Sequence, residues 1–358
     1  MEMKNLLQYD QLNLFDVIKN FPEQIRQAIE IGYSSPKFNY EIKSNNILIL
    51  GMGGSAIGGD LLRSYCKACK GADEINISVN RNYTIPNHFD KNTLVIASSY
   101  SGGTEETLSA LKDCISKGIN NILCISSGGE LASIAEENGF PLIKIPSGFQ
   151  PRAALAFSFF PLLLLLVKSK LFSNEAENIT KSAMEELLVL LDKKVNIYKE
   201  VNGTNPALEL AKKLYEKLTI IYSSSDLLDA VNIRWRGQIQ ENAKHFACGN
   251  FLPEMNHNEI NSFKFPEYLG ASSVCLFLKD VQDHKRILIR FNALEQVLGK
   301  YTKDIISLQG EGKYFLTRMF DLLYLADWTS YYLAMLNKID PTQIPEISFL
   351  KSELSKEL

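Results

Sequence analysis

Residues 47–62, running Ile47-Leu48-Ile49-Leu50-Gly51-Met52-Gly53-Gly54-Ser55-Ala56 and on to Leu62, constrain the fold of this chain more than any other stretch. Four apolar residues in a row read as a strand buried on both faces. A glycine-rich turn follows at once, and the pattern beyond it can continue as a helix. Strand, glycine turn and helix bring backbone N–H groups and a helix N-terminus to one point, where an anion can sit. Glycines at 51, 53 and 54 let a ligand approach the main chain, and Ser55 adds a hydroxyl donor. Two kinds of phosphate compound fit. A dinucleotide can read Gly51-x-Gly53-x-x-Ala56 as its fingerprint; a smaller phosphate ester needs only the serine and the amides.

Alternating strand and helix patterns extend from this unit. Apolar positions at helical spacing over 10–32 (Leu12, Leu14, Val17, Ile18, Phe21, Ile25, Ala28, Ile29) predict an N-terminal helical region covering one face of the α/β unit after it. The patterns then give a helix over 56–70, strands over 75–79 and 93–97, and a helix over 105–117. A strand over 121–126, a helix over 130–138 and a strand over 141–145 complete the series. Such alternation builds a parallel sheet with helices on both faces. The rhythm breaks after Pro146, where an apolar helix over 153–168 and a long helix over 174–200 follow without a strand. It restarts with a helix over 206–217, a strand over 218–222, the turn Ser223-Ser224-Ser225-Asp226 and a helix over 227–244. Strands over 273–278 and 304–308 flank a helix over 283–298; a helix over 313–336 and a short terminal one end the chain. Two units are expected, 1–170 and 171–358, the second opening on the long linker helix.

With 358 residues, 46% of them apolar and 22% charged, the chain has room for two ordinary globular domains. Its formal net charge of −3 supplies no basic surface of the kind nucleic acid requires. The run Ala153–Val167 contains Pro161 and is too short to cross a bilayer comfortably. The start Met1-Glu2-Met3-Lys4-Asn5-Leu6 lacks the apolar segment of a secretory signal. The expectation is a cytoplasmic protein that engages neither nucleic acid nor membrane. Cys66-x-x-Cys69 invites a zinc or redox reading, but no second pair or nearby histidine completes a metal set. Buried free thiols, and no metal site, are expected there.

The segment Ser98-Ser99-Tyr100-Ser101-Gly102-Gly103-Thr104-Glu105-Glu106-Thr107 is a second phosphate signal. Open α/β sheets bind ligands beyond the carboxyl ends of their strands. Two such loops on neighbouring strands can therefore clamp one phosphate between Gly54 and Ser55 on one side and Ser99, Ser101 and Thr104 on the other. Helix capping accounts for Thr104, with Glu105 and Glu106 favouring the helix dipole. It does not account for the serines and glycines before it. The dinucleotide reading weakens, because Val79 is followed by Asn80 and Arg81 and not by the acid that holds a ribose. Arg81 suits a 2′-phosphate, so an NADP-dependent oxidoreductase stays open as an alternative.

Three further segments narrow the choice: Pro151-Arg152-Ala153-Ala154-Leu155, the run from Gln238 through Gln240-Glu241-Asn242-Ala243 to Lys244, and Pro253-Glu254-Met255-Asn256-His257-Asn258-Glu259. Together with the two loops they resemble the bifunctional phosphoglucose/phosphomannose isomerase family, which carries two tandem sugar isomerase (SIS) domains. The likeness runs from about residue 47 to Lys351. It implies two parallel sheets flanked by helices, each a flavodoxin-like α/β/α sandwich. It also implies isomerisation between glucose or mannose 6-phosphate and fructose 6-phosphate, with no metal or other cofactor.

The resemblance assigns roles residue by residue. Glu241 matches the base that carries a proton between C2 and C1 through an enediolate, work that suits a carboxylate. His257 matches the ring-opening histidine, contributed by the partner subunit of a homodimer, with Asn256 and Asn258 placed to orient it. Arg152 matches the arginine that steadies the enediolate, and Lys351 resembles a C-terminal lysine near the sugar ring oxygen. Gly54, Ser55, Ser99, Ser101 and Thr104 fall on the phosphate-binding positions. Ala56, Gly59 and Gly103 depart from the usual loop residues without removing a donor. Residues 1–45 and 279–309 carry no assignable motif. A non-catalytic sugar-phosphate sensor built on the same domains is the other alternative, although no DNA-binding module accompanies them.

Overall fold

Ile47, Leu48, Ile49 and Leu50 are at most 1% exposed, as the centre of a parallel sheet requires. In the computed structural model, which describes residues 7–35, 45–201 and 203–356, they belong to β1 (Asn46–Leu50). The first six residues, the stretch that bears on a secretory signal, lie outside the described ones. Two helices, α1 (Leu14–Lys19) and α2 (Phe21–Ser34), precede the strand and form the expected helical region, divided at Asn20, which caps both. Beyond β1 come α3 (Gly53–Ala68), β2 (Asn76–Asn80), β3 (Leu94–Ser98), α4 (Glu105–Ser116), β4 (Ile122–Ser126), α5 (Gly129–Asn138) and β5 (Leu142–Lys144). All pairings are parallel and the order is β2-β1-β3-β4-β5. That order places a topological switch point between β1 and β3, where an open sheet leaves a crevice. The register Leu50↔Ala97 sets the loops that follow these two strands side by side.

A 3₁₀ turn (Pro151–Ala153) leads into α6 (Leu155–Lys168), which is buried nearly all round and packs between α2 and α3. The long α7 (Asn174–Tyr198) starts on a Ser173 cap, whose side chain accepts the Ala176 amide. The second half comprises α8 (Pro206–Leu214), β6 (Leu218–Ser224), α9 (Asp229–Ala243), β7 (Ala247–Leu252), α10 (Tyr268–Ala271), β8 (Ser273–Lys279), α11 (Lys285–Leu298), β9 (Ile305–Gln309), α12 (Phe315–Leu336) and α13 (Pro345–Leu354). Its parallel sheet runs β7-β6-β8-β9, the order of the first sheet without its last strand. The tandem pair of parallel sheets that the resemblance implies is thus present in the topology. β7 was not legible: Ala247-Cys248-Gly249-Asn250-Phe251-Leu252 has no β-branched residue and forms a half-buried edge.

One apolar core joins the halves. α12 is buried along almost its whole length and packs on α7, α8 and α9. The Phe320 ring lies 4.9 Å from Phe159 and 5.1 Å from Phe160 of α6, centroid to centroid. Each such ring taken out of water contributes about 1.5–3 kcal/mol. Cys66 and Cys69 are buried free thiols, and burial raises the pKa of both. No described helix is long and apolar enough to cross a membrane.

Candidate active site

The two loops at the switch point meet through Ser55, whose Oγ accepts the Tyr100 amide at 3.1 Å. Its own proton is left to donate. No side chain caps α3 or α4, so their first amides are open to another acceptor. Thr104 occupies the cap position of α4 without serving as a cap. Its Oγ1 lies 2.8 Å from Ser99 Oγ. Ser99 is fully buried and accepts the Gly102 and Thr104 amides at 3.1 and 3.4 Å, so its hydroxyl shapes the loop from within. Ser101 is exposed, its Oγ accepting the Gly103 amide at 3.3 Å. Glycine is required at 102: φ is +73° and a Cβ would sit 1.7 Å from the Gly128 carbonyl oxygen.

Gly54 ties this clamp to the next functional group. A Cβ there would lie 2.4 Å from the carbonyl oxygen of Pro151, so the first turn of α3 rests directly on the backbone that carries Arg152. Tyr100 braces the same junction from the other side, its Oη accepting the Phe149 amide at 2.8 Å.

Arg152 is 3% exposed and nearly saturated. Its Nε donates to Asn242 Oδ1 at 2.7 Å, and its Nη2 donates to the carbonyls of Pro341 (2.7 Å) and Thr342 (2.8 Å). Nη1 faces Glu241, 3.7 Å from Oε2. The Glu241 side chain keeps 35% of its surface exposed, so a ligand can reach it. Burial lowers the Arg152 pKa, and the neighbouring Glu241 pulls the other way. Lys244, in a left-handed conformation (φ 47°) at the end of α9, donates to the Asp340 carbonyl at 2.7 Å. Its pKa is lowered by burial and then by Arg152. A half-open carboxylate beside a fixed, dehydrated cation is an arrangement that can move a proton and hold the oxyanion that results.

His257 and Lys351 are not joined to this pair by any hydrogen bond among the described residues. His257 is exposed at the end of a 3₁₀ helix (Glu254–His257) on a braced loop. Glu259 accepts from Tyr222 Oη at 2.6 Å and from Asn250 Nδ2 at 2.7 Å, and Met255 is buried beneath. The asparagines do not orient the imidazole: Asn256 Oδ1 accepts from Arg290, and Asn258 Oδ1 caps Glu259 N. Lys351 is exposed on α13, a helix without a buried residue. Arg81, the residue that suited a 2′-phosphate, is paired with the Asp60 carboxylate.

Sequence reasoning gave no role to Arg234, Gln238 or Asn242. All three are buried on one face of α9 at a spacing of four, against Asp327 and Ser330 of α12. A polar stripe at helical spacing, in a chain with an apolar helix able to cover it, was the available signal.

Two parallel α/β sheets whose shared strands run in the same order, the first with an uncapped hydroxyl loop at its switch point, define a double-SIS-domain protein. The bacterial phospho-glucose isomerase C-terminal SIS domain matches residues 203–354. The C-terminal domain of glucosamine-fructose-6-phosphate aminotransferase from Francisella tularensis shares the fold, with a TM-score of 0.72 at 15% identity over 92% of this chain and 97% of that one. The bifunctional phosphoglucose/phosphomannose isomerase of Caldicellulosiruptor bescii is 42% identical over 96% of this chain and 99% of its own length. That of Aquifex aeolicus is 36% identical over 93% and 99%. The chain belongs to the bifunctional phosphoglucose/phosphomannose isomerase family.

Proposed function

We propose that this protein is a cytoplasmic aldose–ketose isomerase interconverting glucose 6-phosphate and mannose 6-phosphate with fructose 6-phosphate. The observation that carries the reading is the half-open Glu241 carboxylate 3.7 Å from the buried Arg152 guanidinium. Gly54 couples that pair to the phosphate clamp through its contact with Pro151. Ser55, Ser101, Thr104 and the amides about Gly54 hold the phosphate, with Ser99 keeping their loop in shape. Glu241 removes the proton from C2 of the open-chain aldose while the C1 carbonyl oxygen takes up the charge. Arg152 steadies the enediolate, the hydroxyl proton passes from O2 to O1, and the same carboxylate returns its proton at C1, leaving a hydroxyl at C1 and a carbonyl at C2. No redox cofactor or metal enters these steps.

His257 opens the sugar ring from the partner subunit of a homodimer; its exposure on a braced loop supports that role. Lys351 approaches the ring oxygen. Residues 1–170 and 171–358 act as the two units, the first holding the phosphate and the second supplying the base. Coupled assays with glucose 6-phosphate and mannose 6-phosphate offered separately, in EDTA, should show turnover of both. Glu241→Gln should lower kcat by about 10³-fold or more while leaving inhibition by inorganic phosphate in place. Phosphate-ester binding without turnover by the wild type would establish a sensor instead, and wild-type turnover by the variant would remove Glu241 as the base.

A further inference from the structure

Asn242 sits next to the carboxylate in sequence and in direct contact with the arginine. A guanidinium has no acceptor, so only the amide oxygen of Asn242 can face Arg152 Nε, 2.7 Å away. Its Nδ2 then points to Ser330 Oγ at 3.0 Å, and that hydroxyl donates to the Asp327 main-chain carbonyl at 2.9 Å. The Asp327 carboxylate accepts from Gln238 Nε2 (2.6 Å) and Arg234 Nη2 (3.2 Å). Arg234 Nη2 closes the circuit by donating to the Arg152 carbonyl at 2.8 Å. Arg152 is thereby held at both ends, side chain and main chain, by one ring of buried polar groups. Beside the ring lies a cavity of about 10 Å³, walled on its far side by Leu14, Ile18 and Phe21. It has room for one water at most.

We propose that Asn242 is a positioning residue for Arg152, fixing the guanidinium so that Nη1 faces Glu241 and the reacting carbons. The proposal rests on Arg152 being the group that steadies the enediolate. Asn242 touches neither substrate nor proton; it removes the freedom of Arg152 to rotate about its last bonds. Ser330 supports Asn242 in turn, by accepting from the amide nitrogen that Arg152 cannot use.

The test compares Asn242→Ala, Ser330→Ala, Arg152→Ala and the double variant Asn242→Ala/Arg152→Ala with the wild type, using fructose 6-phosphate as substrate and inorganic phosphate as competitive inhibitor. Asn242→Ala should lose about 100-fold in kcat, the scale of a 1 Å misplacement, with KM and phosphate inhibition within about twofold. Ser330→Ala should lose about tenfold in the same kcat-only manner. In the Arg152→Ala background the Asn242→Ala loss should shrink to about threefold or less, because there is no arginine left to position. An undiminished loss in that background, a rise in KM in place of a fall in kcat, or a kcat within about threefold of wild type overturns the proposal. Should Asn242→Ala fail to fold by circular dichroism, Ser330→Ala alone and in the Arg152→Ala background decides by the same criteria. A wild type inactive on all three sugar phosphates defeats the isomerase reading and this one with it. An active wild type with an unaffected Asn242 variant defeats only this one.

Discussion

Where the loops after β1 and β3 meet, a serine hydroxyl receives a backbone amide; where the loops after β6 and β8 meet, a serine hydroxyl is given to a carboxylate. Ser224 Oγ donates to Asp283 Oδ1 at 2.5 Å, and Asp283 Oδ2 accepts the Asp280 amide at 2.8 Å. Asp280 is itself gripped by Arg318 through Nε (2.7 Å) and Nη2 (2.9 Å). The helices differ only in part: α9 begins without a side-chain cap, as α3 and α4 do, whereas the His284 ring accepts the Arg286 amide at the start of α11. The two sheets thus share strand order and crevice position, yet they use the serine hydroxyl there in different ways. The second has filled its switch point with an anion of its own, and its helix α9 supplies Glu241 instead. A repeated fold need not repeat its site: the same crevice becomes a binding place or a structural joint according to which side chains end its strands.

Three substitutions sharpen this contrast. The largest effect is expected from Gly54→Ala, because the added Cβ would stand 2.4 Å from the Pro151 carbonyl oxygen and must push the clamp away from Arg152. Steady-state kinetics should show kcat/KM falling about 100-fold, with both kcat and KM affected. A change within about twofold would mean that clamp and arginine are not coupled through this contact. Ser55→Ala removes one donor and spares the backbone. KM should rise about tenfold, near 1.4 kcal/mol, with kcat almost unchanged, and an equal loss in kcat would count against a purely binding role.

The smallest effect belongs to the second sheet. Burial raises the Asp283 carboxyl pKa above the ordinary carboxylate value, a shift opposed by its bond from Ser224. The folded state therefore holds more protons than the unfolded state between the ordinary and the raised pKa, and stability falls as pH rises through that window. Asp283→Asn abolishes the titration. The variant should be more stable than the parent at neutral pH, and the gap should close on acidification below the ordinary carboxylate range. Urea melts across the acid range read this directly. Isomerase kinetics should be indifferent to the change; a parallel loss of activity would show that the second crevice is not a separate joint.

Much of this arrangement was legible in the chain. The apolar run at Ile47–Leu50, the glycines after it and the hydroxyls of 98–107 act through steric and hydrogen-bonding rules that span a few residues. They determined the first sheet, the switch-point loops and the candidate clamp. Helical spacing likewise placed Glu241 on a helix and fixed the extent of α4, α7 and α12 to within a few residues. β7 escaped because an edge strand of small and polar residues carries no strong period. Other matters were settled only by the tertiary structure. Ser99 is a buried brace of its loop, Thr104 is not a cap, and Asn256 and Asn258 turn away from His257. Arg152 finds its partners 90, 189 and 190 residues along the chain, in Asn242, Pro341 and Thr342. Which distant carbonyl or amide meets a buried guanidinium depends on how the core closes and on the cost of leaving such a group without partners. A local pattern records neither.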